Sequence, residues 1–176
     1  MQNSDNQILF INRFQNYAWV RTDKGTFVTA DGNVYEFDLI GQDFRSRKQL
    51  SQDDVMQSLT EISKNSQPSK TLDKAKILQA YNLVDKIDKN SKMLVAQFAN
   101  DAGQRTLSSI SNGKFITLAT SGDRNGSVDC EEVKQILETL HETEFYTWES
   151  FGEPCSIEQI KQRNPIEVNI FDDIFF

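Results

Sequence analysis

The chain has 176 residues, with 19 Lys and Arg against 26 Asp and Glu, for a net charge of −7. One domain spanning 1–176 is expected at roughly 150 residues per domain, and such a chain buries close to ~70% of its unfolded surface without needing a disulfide or a metal. The acidic balance argues against nucleic acid or an anionic membrane as the main ligand, because both call for a Lys/Arg surface. A hydrophobic content of 38% argues against a disordered chain.

The predicted elements begin with a β-meander. The apolar run Ile8–Ile11 supplies a first strand, and alternation predicts strands at Tyr17–Thr22, Phe27–Thr29 and Val34–Leu39. Asp23-Lys24-Gly25 and Asp31-Gly32-Asn33 carry turn residues between them. Ser51 then offers an N-cap, and Val55, Leu59 and Ile62 recur at helical spacing. After a break at Asn65–Ser69, Thr71 caps a second helix striped by Ile77, Tyr81 and Val84. The two helices are expected to form an αα-hairpin on the sheet.

Strand signals return at Met93–Ala99, Leu107–Ile110 and Lys114–Thr120, the last two joined by Ser111-Asn112-Gly113. Val133, Ile136, Leu137 and Leu140 mark a third helix. Residues 144–151 suit a strand or an aromatic loop. Ser156 caps a short helix to Arg163, and Asn164-Pro165 leads into a last strand at Ile166–Phe171. The predicted class is α+β: an antiparallel sheet, built from the meander and the later hairpin, with three or four helices mainly on one face.

Charge is distributed unevenly. Residues 1–128 hold 16 basic and 14 acidic side chains, whereas 129–176 hold 3 basic and 12 acidic, a net of −9. This acidic third also contains seven of the 18 aromatics. Phe145, Tyr146, Trp148 and Phe151 interleave with Glu144, Glu149 and Glu153, and Asp172-Asp173 lies within a second aromatic run ending at Phe176. Aromatic anchors rimmed by carboxylates suit a basic protein partner, since the rings supply desolvated area and the acids speed encounter.

Catalytic patterns are weak. Cys130 lies eleven residues before His141, the single histidine. On one helix that is ~16 Å, too far to share a proton. Cys155 could meet His141 only through tertiary folding, and no local signature supports the pair. Ser121–Glu132 read as a calcium loop puts Asp123, Asn125, Asp129 and Glu132 at positions 3, 5, 9 and 12, but Ser121 stands where the first carboxylate belongs. The competing reading is strand–turn–helix, with Asn125-Gly126 as the turn and an Asp129/Glu132 capping box. No other metal or cofactor is expected. Two cysteines are too few for a disulfide framework. No apolar run is long enough to span a membrane. The N-terminus shows no leader, which predicts a cytoplasmic protein. The alternative is a secreted or membrane-anchored protein whose leader was removed.

Asn16-Tyr-Ala-Trp19, followed by Gly25-Thr-Phe-Val-Thr-Ala-Asp31-Gly-Asn-Val-Tyr-Glu-Phe-Asp38, resembles the start of a loose group of small uncharacterised bacterial proteins, some of them lipoproteins. The resemblance covers about forty residues and rests on a β-hairpin signature. It implies a bacterial origin and transfers no catalytic residues. The chain departs from the lipoprotein members in having no lipobox cysteine.

Three functional expectations follow. The first is a non-enzymatic protein-binding protein, specifically an immunity protein that neutralises a basic antibacterial toxin such as a nuclease, through the nine residues Glu144, Phe145, Tyr146, Trp148, Glu149, Phe151, Glu153, Asp172 and Asp173. The second is an envelope-associated domain. The third is a degenerate calcium-binding module. The sequence leaves the oligomeric state open.

Overall fold

The computed structural model describes residues 6–17, 21–40, 50–147 and 155–172. Among these, nine strands form one sheet: β1 (Ile8–Asn16), β2 (Thr22–Thr29), β3 (Asn33–Asp38), β4 (Lys70–Thr71), β5 (Lys92–Gln97), β6 (Gln104–Ser111), β7 (Lys114–Gly122), β8 (Arg124–Val128) and β9 (Ile166–Asn169). Their order is β4-β3-β2-β1-β6-β7-β8-β5-β9, and every described pairing is antiparallel. The helices are α1 (Gln52–Asn65), α2 (Lys74–Val84), α3 (Glu131–Glu142) and a short α4 (Ile157–Lys161). Helices are the minority, so the molecule is mainly sheet.

The sheet is apolar on both sides, and that decides the layers. Phe10 and Ile11, Phe27 and Val28, and Val34 and Tyr35 are consecutive buried residues, so each pair points to opposite faces. Leu9, Phe10, Val28, Val34, Leu107 and Leu118 meet α2 and α3 through Ile77, Ala80, Val133, Ile136 and Leu140. Ile8, Ile11, Phe27, Tyr35, Phe37 and Ile110 meet α1 through Val55 and Leu59. A register shift between Ile8 and Phe10 lets Leu9 and Phe10 share one core. The helices therefore cover both faces, and α1 and α2 are not a hairpin on one side. Between them β4 pairs with β3 at the sheet edge, and the chain passes there from one face to the other.

Local chemistry sets the boundaries. Ser51 caps α1 in a reciprocal box: its Oγ accepts from the Asp54 amide at 3.1 Å, and Asp54 Oδ2 accepts from the Ser51 amide at 3.1 Å. Replacing Ser51 with alanine is expected to lower the unfolding free energy by about 1 kcal/mol, as read by urea denaturation. An unchanged midpoint would show that the Ser51 cap adds nothing to stability. The α2 cap is Asp73 rather than Thr71, because its carboxylate accepts from the Ala75 and Lys76 amides. Asn112 and Gly113 both take positive φ, 52° and 74°, between the paired residues Ser111 and Lys114, the geometry of a two-residue hairpin turn.

Two turn expectations fail for a shared reason. Asp23-Lys24-Gly25 lies inside β2, and Asn125-Gly126 lies inside β8. In each the glycine serves close packing rather than a turn. A Cβ on Gly25 would collide with the Asn12 carbonyl oxygen, and one on Gly126 would collide with Met93 Sδ. Of the strand expected at Tyr17–Thr22, Tyr17 and Arg21 lie outside β1 and β2, Thr22 begins β2, and residues 18–20 lie outside the described residues. The last strand is shorter than expected and forms an edge: β9 pairs with β5 and stops at Asn169, after which Ile170 is buried.

Candidate interaction surface

Helix α3 buries Val133, Ile136 and Leu140 and therefore turns Glu131, Lys134, Gln135, Glu138 and Glu142 to solvent. Its end is a Schellman turn: the Phe145 amide donates to the Leu140 carbonyl at 3.0 Å, and the Glu144 amide donates to the His141 carbonyl at 2.9 Å. Glu144 occupies the left-handed position at φ 59°, where glycine is usual. This geometry leaves the Glu144 side chain exposed and directs Phe145 inward.

Phe145 and Tyr146 are 4% and 3% exposed and belong to the core beneath α2 and α3. The Tyr146 hydroxyl donates to the Leu137 carbonyl at 3.0 Å, and its ring meets His141 edge-on at 5.6 Å between centroids. Their burial means that, of this part of the predicted surface, the described structure presents Glu144 to solvent. Asp172 is exposed, just beyond Ile170 and the half-buried Phe171. Trp148, Glu149, Phe151, Glu153 and Asp173 lie outside the described residues.

Burial, followed by the charge of Glu138, pushes the Tyr146 phenol up to about 12. The folded state holds this proton above the ordinary tyrosine value of about 10, so the contribution to stability is complete below pH 10 and is lost between about pH 10 and 12. A phenolate absorbance titration should show a tyrosine ionising near pH 12, with unfolding free energy falling over the same interval. Ionisation of all four tyrosines near pH 10 would contradict it.

The acidic third is partly matched by lysines of the preceding chain. Lys76 pairs with Glu142 at 3.3 Å, Lys92 pairs with Glu167 at 3.1 Å, and Lys70 Nζ donates to the Glu144 carbonyl. Within the third, Lys134 pairs with Asp129 at 3.0 Å. Such exposed pairs hold little energy. Glu131, Glu138, Glu144 and Glu158 are exposed and form no ion pair with a described residue. Three of these four lie on or directly after α3.

The calcium pattern is not assembled as a loop. Asn125 is buried within extended β8, and Asp123 Oδ1 accepts from the Ala102 amide at 2.8 Å, tying down the β5–β6 connection. Asp129 is turned to Lys134, and Glu132 accepts the Cys130 thiol at 3.0 Å. Cys130, not Asp129, is the N-cap residue of α3, and it makes no side-chain cap bond. Among the described residues no three His, Cys, Asp or Glu side chains group as a metal would require.

The two thiols are poorly placed as nucleophiles. Burial and the Glu132 carboxylate push the Cys130 thiol up, and burial pushes Cys155 up against the opposing charge of Arg163. Both therefore favour the protonated, less reactive form.

Sequence reasoning missed one of the described concavities. It is an open cleft of about 750 Å³ on the α2/α3 side of the sheet, beyond the end of α3. Asn12, Phe14, Lys24, Thr26, Glu36 and Arg105 form its floor, while Ser69, Lys70 and residues 144–147 form its wall. Of its floor residues only Glu36 stands on a predicted strand, while Lys24 falls in a predicted turn and Asn12, Phe14, Thr26 and Arg105 lie outside the predicted strands, so alternation gave no signal for it. No described helix is long and apolar enough to cross a membrane. Compared with known proteins, the chain matches no family model, no curated protein and no solved structure.

Proposed function

We propose that this protein is a non-enzymatic binding protein that captures a basic protein partner, in the specific form of an immunity protein neutralising a basic antibacterial toxin. The observation supporting this reading is the exposed acidic ridge Glu131, Glu138 and Glu144 at the outer face and end of α3, within a segment of net charge −9. Carboxylates that form no ion pair with a described residue are available to Lys and Arg of another chain. Nuclease toxins are basic because they bind phosphate, so an acidic ridge is their electrostatic complement.

The reading is tested by titrating the protein against a purified basic nuclease domain encoded beside its gene. A complex that inhibits the nuclease, with an association rate falling about tenfold or more as salt is raised, is expected. The absence of both a complex and inhibition at micromolar concentrations overturns it.

A further inference from the structure

The cleft on the α2/α3 side holds a second arrangement of charge, which meets the acidic ridge at Glu144 in its wall. Sheet register aligns Lys24 of β2 with Phe14 of β1, and Phe14 with Arg105 of β6, placing the two cations on either side of one ring. The Arg105 guanidinium lies over the Phe14 ring, 4.6 Å from its centroid. The ring is itself held in place: Gly103, at φ 81°, brings its backbone so close that a Cβ there would stand 2.7 Å from Phe14 Cε2 and Cζ.

Arg105 is thus fixed by stacking rather than by an acid. Neither Arg105 nor Lys24 forms an ion pair with a described residue. Lys24 and Arg105 stand two strands apart, about 10 Å between backbones, so their long side chains can converge on one anion. Lys70 adds a third cation from the wall.

In the neighbouring row, register aligns Glu36 with Thr26 and Thr26 with Asn12. Glu36 is exposed and makes no ion pair with a described residue either. Within the cleft, cations therefore occupy one row, whose β3 end sets Asp38 beside Lys24 just outside the lining, and a carboxylate with neutral hydrogen-bonding groups occupies the next.

We propose that this cleft binds a small phosphomonoester, with the phosphate on Arg105, Lys24 and Lys70 and the hydroxyl or ammonium groups of its body on Glu36, Thr26 and Asn12. A phosphomonoester carries about −1.5 to −2 charges at pH 7, which three cations match. The flat guanidinium fork suits two phosphate oxygens at once. Glu36 repels an extended polyanion and accepts donors from a polar body, and the volume suits a small ligand. This site goes beyond protein capture and does not depend on it.

The test is calorimetry on the full chain with glucose 6-phosphate, phosphoserine, adenosine monophosphate, inorganic phosphate and glucose. At least one phosphomonoester is expected to bind with a Kd below about 1 mM, with inorganic phosphate about tenfold weaker and glucose silent. Arg105→Gln should weaken that binding about tenfold or more, and Arg105→Lys should restore only part of it. Glu36→Gln should weaken the phosphomonoester without weakening inorganic phosphate. Circular dichroism and thermal melting confirm that each variant is folded. Absence of heat with all three esters, or full binding by folded Arg105→Gln, overturns the site. Equal affinity for inorganic phosphate overturns the role of the second row.

Discussion

Replacing Asp23 with alanine is expected to lower the unfolding free energy by about 3–5 kcal/mol, because it strands Arg13 as an uncompensated buried charge. The Arg13 and Asp23 side chains are 10% and 1% exposed. They meet through two bonds, Nε to Oδ1 at 2.7 Å and a terminal guanidinium nitrogen to Oδ2 at 2.5 Å. Gln15 and the Tyr17 hydroxyl donate to the same Oδ2 at 3.4 and 3.3 Å. The pair lies on the α1 face of the sheet, in line with Ile11 along β1, so it continues the apolar core as a polar patch. The double variant Arg13→Met, Asp23→Leu is expected to recover most of the loss, because it removes both charges together. Urea denaturation of wild type, Asp23→Ala and the double variant measures both effects. A single variant within about 0.5 kcal/mol of wild type would show that the pair is solvated rather than buried.

That pair also shows why part of the sequence was misleading. Asp23-Lys24-Gly25 has turn composition, yet Asp23 is there to bind Arg13 of the adjacent strand, and Gly25 is there because β1 comes too close for a side chain. Composition records the conformational freedom of a residue but not the distance of its neighbour. By contrast, Ser51, Asn112-Gly113 and Ser156 act through bonds to their own chain neighbours, and each sits where the sequence put it. The helix stripe Val133, Ile136 and Leu140 was legible for the same reason. The two-sided core was written in the unbroken runs Ile8–Ile11 and Phe27–Val28, which a one-faced sheet would interrupt with polar residues. At the candidate surface, the acidic bias of α3 was legible, whereas the inward turn of Phe145 and Tyr146 depends on a left-handed Glu144 that no residue preference announces.

The second large effect concerns the α1 face. Phe27 is fully buried, stacks on Tyr35 at 5.2 Å and touches Phe37, all beneath Val55 and Leu59 of α1. Phe27→Ala is expected to cost about 3–5 kcal/mol, combining lost transfer energy with the cavity left behind. Phe10→Ala, on the opposite face, should cost a similar amount, since Phe10 is also fully buried and packs edge-on against Tyr81 at 5.9 Å. Comparable losses from two nearby strand positions facing opposite ways are the signature of helices on both sides. A cost below about 1 kcal/mol for Phe27→Ala alone would mean that α1 does not cover its face.

In the proposed function, the exposed acids of α3 are the binding surface. Reversing Glu131, Glu138 and Glu144 together to lysine alters side chains that are exposed and have no ion-pair partner among the described residues, so melting temperature should change little. Stopped-flow association with the basic nuclease partner is the direct measurement. The triple reversal is expected to slow association about a hundredfold or more at low salt and to abolish the salt dependence. A folded triple variant that associates and neutralises as fast as wild type would contradict it.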